Sequence, residues 1–152
     1  MKTDKEIANI YINFRDTLLP QFNMVQDLEK QFTSGINIFN KKKQHEKVFK
    51  VYEGYSQVVY HSWSAIYTGN EFDIVIKDIQ ALKENKPIYA TTQISNLAQQ
   101  FFFSLYFSII TVMGYYEGAH KDINSVNTFR YACIKYMEDK MVELDKLVKI
   151  YR

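Results

Sequence analysis

Turn-forming residues are scarce in this sequence. Two prolines (Pro20 and Pro87) and five glycines serve 152 residues, too few for the frequent turns of an all-β fold. A single cysteine, Cys133, excludes an intramolecular disulfide and any Cys-rich zinc or iron–sulfur site. Charge of one sign is also missing. The 19 Lys and Arg nearly balance the 17 Asp and Glu, and a net charge of +2 sets up no global field toward polyanions or anionic lipid. Of the three histidines, His45, His61 and His120, none lies four residues from another, so the H-x-x-x-H metal pair is absent. Neither Gly-rich phosphate-loop pattern occurs. The opening residues, MKTDKEIANI, contain no apolar run of the secretory type. A cytoplasmic protein is the expectation.

Aromatics, by contrast, are abundant. They make up 16% of the chain, with 12 Tyr and 11 Phe, against 47% hydrophobic and 24% charged residues overall. This is the composition of a globular protein, and its aromatic surplus belongs either in a bulky core or on an adhesive surface.

Periodicity of three and four dominates the pattern, which predicts an all-α bundle of four long helices and one short helix in a single domain, residues 1–152. Thr3 and Glu6 make a capping box, after which Ile7, Ile10, Tyr11, Phe14 and Leu18 define one stripe. Phe22, Val25, Leu28 and Phe32 continue it past Pro20, which should kink or divide the helix, and Ser34-Gly35 should stop it. A second helix is predicted from Lys43 to Thr68, closed by Gly69-Asn70. A short amphipathic helix with Phe72, Val75, Ile79 and Leu82 on one side should end before Pro87. The last helix begins near Ser125 and runs to the terminus. Its Ile134, Met137, Met141, Leu144, Val148 and Tyr151 form a short coiled-coil-like seam.

The fourth long helix, near residues 92–116, is the most apolar. No charge occurs between Lys86 and Glu117. A membrane span is not expected: Phe101 to Tyr116 would cover only about 24 Å of the ~30 Å hydrocarbon thickness, and Gln93, Asn96, Gln99 and Gln100 precede it. Gln93, Asn96, Gln100, Ser104, Ser108, Thr111 and Tyr115 share about a third of its circumference. The rest is apolar, so the helix should be largely surrounded by its neighbours.

Chemistry leaves few traces. Glu117 and His120 match the E-x-x-H spacing of di-iron bundles, but that motif is required twice, and no metal or other cofactor is expected. Cys133 falls within an apolar pattern and reads as a core residue. Arg15 and Arg130 lack the closely following His of small helical toxin RNases, so a resemblance to them fails. The concentrated charge feature is Lys41-Lys42-Lys43 with Lys47 and Lys50, where cations oppose a helix dipole and an anionic contact would relieve them.

No catalytic constellation emerges. The expected function is non-enzymatic: binding to another protein as an inhibitor, immunity factor, adaptor or assembly subunit, with Lys41, Lys42, Lys43, Lys47 and Tyr60 as candidate contacts. A homodimer is also expected, through Gln100, Ser104 and Ser108 or through Met141 and Leu144, because neither surface carries charge. The alternative is a nucleic-acid-associated protein using the lysine run.

Overall fold

The structure, a computed structural model of the chain, describes residues 1–34, 40–89, 91–120 and 122–151, without the side chains of Ile79 and Leu82. The expected stop at Gly35 and the inward placement of Ile79 and Leu82 therefore lie outside the described residues. Among the described residues the fold is all-α, without strands. In chain order the helices are α1 (Asp4–Asn13), α2 (Leu19–Thr33), α3 (Lys41–Ser64), α4 (Glu71–Lys77), α5 (Ile79–Lys83), α6 (Gln93–Glu117) and α7 (Ile123–Leu147). A π-helical turn, Phe14–Leu18, joins α1 to α2 without a break, so the pair forms one long helix.

That turn is the consequence of Pro20. A proline cannot donate to the carbonyl four residues back, and its ring crowds that carbonyl. The backbone widens instead, and the Leu19 N–H reaches the Phe14 carbonyl in the i−5 pattern of a π-turn. The helix neither stops nor divides. Thr3 caps its start with the expected reciprocal bonds to Glu6.

Elsewhere the boundaries of α6 match closely, whereas α3 ends at Ser64 on an Ala65 cap, four residues short of the expected Thr68, and α7 passes into a 3-10 turn, Val148–Tyr151. Thr92 caps α6 through Ser95 and also donates to Asp4 Oδ1 at 2.6 Å, fixing the start of α6 against the start of α1. Gly118 closes α6 in the left-handed region at φ 92°, a conformation natural to glycine. The short helix is divided at Asp78 into α4 and α5. Gly69 takes the left-handed φ expected of it, but Asn70 instead begins α4.

Helix α6 is the centre of the bundle, packed most extensively on α7 and next on α3. Phe101, Phe102, Leu105 and Ile109 are fully covered. Tyr11, Phe14, Phe101 and Phe102 meet edge to face at centroid distances of 5.0–5.9 Å. Such pairs each add about 0.5–1.5 kcal/mol beyond area burial. Trp63 closes a second aromatic group with Phe72, Phe103 and Tyr106. The aromatic surplus is thus spent mainly inside. Among the described residues, the large hydrophobic side chains that remain exposed include the aromatics Phe129 and Tyr131.

Helix α6 spans nearly the residues expected of it, 25 in all and about 38 Å at 1.5 Å per residue, with the amide-rich segment from Gln93 included. By length and composition alone it could cross a membrane, but 56% of its most apolar window is buried within the chain. Its polar stripe is covered only in the middle: Asn96, Gln100, Thr111 and Tyr115 are half-buried and Gln93 is exposed. Ser104 and Ser108 are buried beneath α7, where small side chains allow close approach. The Ser104 hydroxyl donates to its own helix at the Gln100 carbonyl (2.7 Å), whereas that of Ser108 points across to the Arg130 carbonyl at 3.5 Å.

Candidate functional site

Each of the four long helices sends one polar side chain to a single point. Glu29 comes from α2, Tyr52 from α3, Tyr116 from α6 and Arg130 from α7. Arg130 Nη1 donates to both Glu29 oxygens, at 2.7 and 3.0 Å. The Tyr116 hydroxyl donates to Oε2 at 2.5 Å, and the Tyr52 hydroxyl donates to Oε1. Glu29 is 6% exposed and Arg130 8%, so this is a buried ion pair. Burial alone would push the Glu29 carboxyl up. Arg130, Tyr116 and Tyr52 outweigh it and hold the group below the usual carboxylate range. Burial, and then the Glu29 charge, push both tyrosines well above their ordinary value, so they remain donors.

A carboxylate accepting four hydrogen bonds, two from Arg130 Nη1 and one from each tyrosine, has no position left from which to remove a substrate proton. Glu29 therefore ties helices together instead of acting as a base. Its saturation is also what makes burial tolerable, since an unpaired ion there would cost several kcal/mol.

The tie forms the floor of an open cleft of about 580 Å³ at one end of the bundle. Asn23, Gln26, Asp27 and Lys30 of α2 line one wall, His45 and Tyr115 another, and Asn127 and Tyr131 of α7 a third. Arg130 Nε donates to Asn127 Oδ1 at 2.9 Å, and the guanidinium lies 5.2 Å from the centre of the half-exposed Tyr131 ring. His45 packs against the rings of Tyr115 and Tyr116, at 5.6 and 5.0 Å. Burial, and then the charge of Lys41, lower its pKa, so its ring is neutral at pH 7. Among the described residues no hydrogen bond orients that ring, and the base–orienter pairing of nucleophilic catalysis is not formed.

His45 and Tyr116 also border a second lobe, a groove of about 710 Å³ lined by Lys41, Lys42, Glu46, Phe49, Lys50, Glu53 and Glu117. The lysine run is therefore only partly gathered at the site. Lys41 and Lys42 line this groove, Lys43 is exposed outside both lobes, and Lys47 lies 5.7 Å over the Phe32 ring.

Other expected contacts lie elsewhere. Tyr60 is half-buried against Phe72 and Tyr106, not held out as an anchor. Tyr67 is buried, its hydroxyl accepting from Trp63 Nε1 and donating to Gln99 Oε1. The expected dimer surfaces are used within the chain. Ser104, Ser108 and Leu144 are buried, Met141 is half-buried on the core, and Gln100 is half-buried near the Asn85 carbonyl. The physical reason is the same for both surfaces: α6 and α7 turn their uncharged faces toward the bundle, where each covers the other. Cys133 is half-buried, and burial raises its thiol pKa to about 11.

Sequence reasoning passed over Glu29 and weighed Arg130 only against the toxin RNase pattern, although a signal for the pair exists. Glu29 interrupts the apolar series Phe22, Val25, Phe32, and Arg130 interrupts Val126, Ile134, Met137. Opposite charges, each inside an apolar stripe, are the pattern of a buried pair. Comparison with family models, curated proteins and solved structures finds no match to this chain.

Proposed function

We propose that the protein acts by binding another protein, as an inhibitor, immunity factor, adaptor or assembly subunit, and that the two-lobed cleft is where the partner sits. The carrying observation is the charge balance of that cleft over a rigid floor. Lys30, Lys41, Lys42 and Lys50 stand with Asp27, Glu46, Glu53 and Glu117, four cations with four anions, while Glu29 and Arg130 cancel beneath them. A polyanion would meet as much repulsion as attraction along such a surface. A polypeptide, which itself carries both signs, amides and apolar groups, can match it. The amides of Asn23, Gln26 and Asn127 and the rings of Tyr115 and Tyr131 supply the mixed contacts that protein interfaces use.

The nucleic-acid reading loses support because the lysine run is divided between the groove, open solvent and Phe32. Self-association through the α6 stripe or the α7 seam has less support, since Ser104, Ser108 and Leu144 are buried within the chain. Affinity capture from the native host tests the proposal, with wild type compared with the double substitution Lys30→Glu, Tyr131→Ala. A discrete protein should be captured by the wild type and lost from the variant at unchanged helicity. Retention of the same protein by the variant, or recovery of nucleic acid instead, would refute it.

A further inference from the structure

Resting on the cleft's proposed role, we infer that Arg130 forms a subsite for one uncharged acceptor oxygen of the partner, supplied by a glutamine or asparagine side-chain amide. Two of the three guanidinium nitrogens are committed: Nη1 to both Glu29 oxygens, and Nε to Asn127. Nη2 has no partner among the described residues, yet it is not one of the side-chain atoms sealed from solvent without a bond. Arg130 lines the 580 Å³ lobe, and Nη2 is its uncommitted nitrogen.

A phosphate or carboxylate engages arginine best through two parallel N–H groups on different nitrogens. With Nε and Nη1 occupied, that fork is closed, and one oxygen at Nη2 is the contact that remains. Charge selects in the same direction. Glu29 compensates Arg130, and Asp27 stands on the rim with Lys30, so an entering anion meets no net positive charge. An amide loses nothing by that neutrality. Its oxygen accepts from Nη2, and its NH₂ has Asp27 and the oxygens of Asn23 and Gln26 as acceptors lining the same lobe.

Side-chain NMR of the ¹⁵N-labelled full chain, titrated with N-acetylglutamine methylamide, N-acetylglutamate methylamide and inorganic phosphate, tests this subsite. The glutamine probe should shift the Arg130 guanidinium and Asn127 amide signals saturably, with a dissociation constant of roughly millimolar order for so small a ligand. The glutamate probe should bind at least about threefold more weakly, and phosphate should not saturate. In Asp27→Asn, an exposed substitution, the preference should narrow or reverse, because the rim then carries net positive charge. Tighter binding of glutamate or phosphate to the wild type overturns the subsite, as does the absence of any shift at Arg130. These readouts need no partner. A chain that captures its protein through the cleft but ignores all probes refutes this subsite alone, whereas glutamine binding without protein capture refutes the broader proposal alone.

Discussion

Replacing Arg130 with methionine removes one half of the buried pair and leaves Glu29 beneath the cleft with only its two tyrosine donors. Loss of one partner from a buried ion pair costs about 3–5 kcal/mol. For a chain of this size that corresponds to a fall in Tm of roughly 10–15 °C. The loss should depend on pH in a defined direction. In the wild type the Glu29 pKa is below its unfolded value. Its stabilising contribution is therefore complete above the ordinary carboxylate pKa and disappears as pH falls through the lower folded value. In Arg130→Met the largest lowering influence is gone and burial raises the folded pKa, so the variant gains relative stability as Glu29 takes up a proton. The gap between the two proteins should be widest near pH 7 and narrow below about pH 5. Urea unfolding followed by far-UV circular dichroism at pH 7 and pH 4 measures both. A loss below ~1 kcal/mol at pH 7, or the same loss at both pH values, would refute the assignment of Glu29 and Arg130 as the bond joining the four helices.

Three further outcomes follow from local geometry. A Cβ on Gly114 would lie 2.6 Å from the His120 ring, so Gly114→Ala should stabilise the chain by up to ~1 kcal/mol in a His120→Ala background and by less, or not at all, in the wild type; thermal melts of the four proteins decide it. Gly118→Ala, at φ 92° with open space around it, should cost about 1–2 kcal/mol through backbone strain alone, and a neutral result in denaturant titration would contradict the left-handed cap. Ser108→Lys places a charge beneath α7 and should lower Tm and helicity together, by more than ~3 kcal/mol in stability; a folded variant of unchanged Tm would show that this face is open.

The helices themselves were legible because their signals are local. Thr3 with Glu6, the Thr92 start and Gly118 each act within one turn, and the 25-residue apolar α6 had to be covered by the other helices. What covers each face was not legible. The uncharged Ser104–Ser108 stripe suits a second chain or the chain's own α7 equally well, and only the tertiary arrangement distinguishes them. Pro20 was read correctly as a disturbance, but a π-turn absorbs it at a distance that sequence spacing does not reveal. The site was hardest to see because its parts lie up to 101 residues apart: Glu29 meets Arg130 across the whole bundle. The lysine run attracted attention as a dense local cluster, yet only part of it lines the cleft.

Site-specific photo-crosslinking in the native host addresses the central claim most directly. A photoreactive residue replaces Tyr131, 54% exposed at the cleft, and in a control replaces Ile150, 79% exposed near the far end of the last helix. The two positions are roughly 28 Å apart along the chain at helical rise, so one partner seated in the cleft should be reached from the first and not from the second. The account predicts one discrete protein adduct from position 131, absent from position 150. Equal labelling from both positions, or an adduct to nucleic acid at position 131, would contradict it.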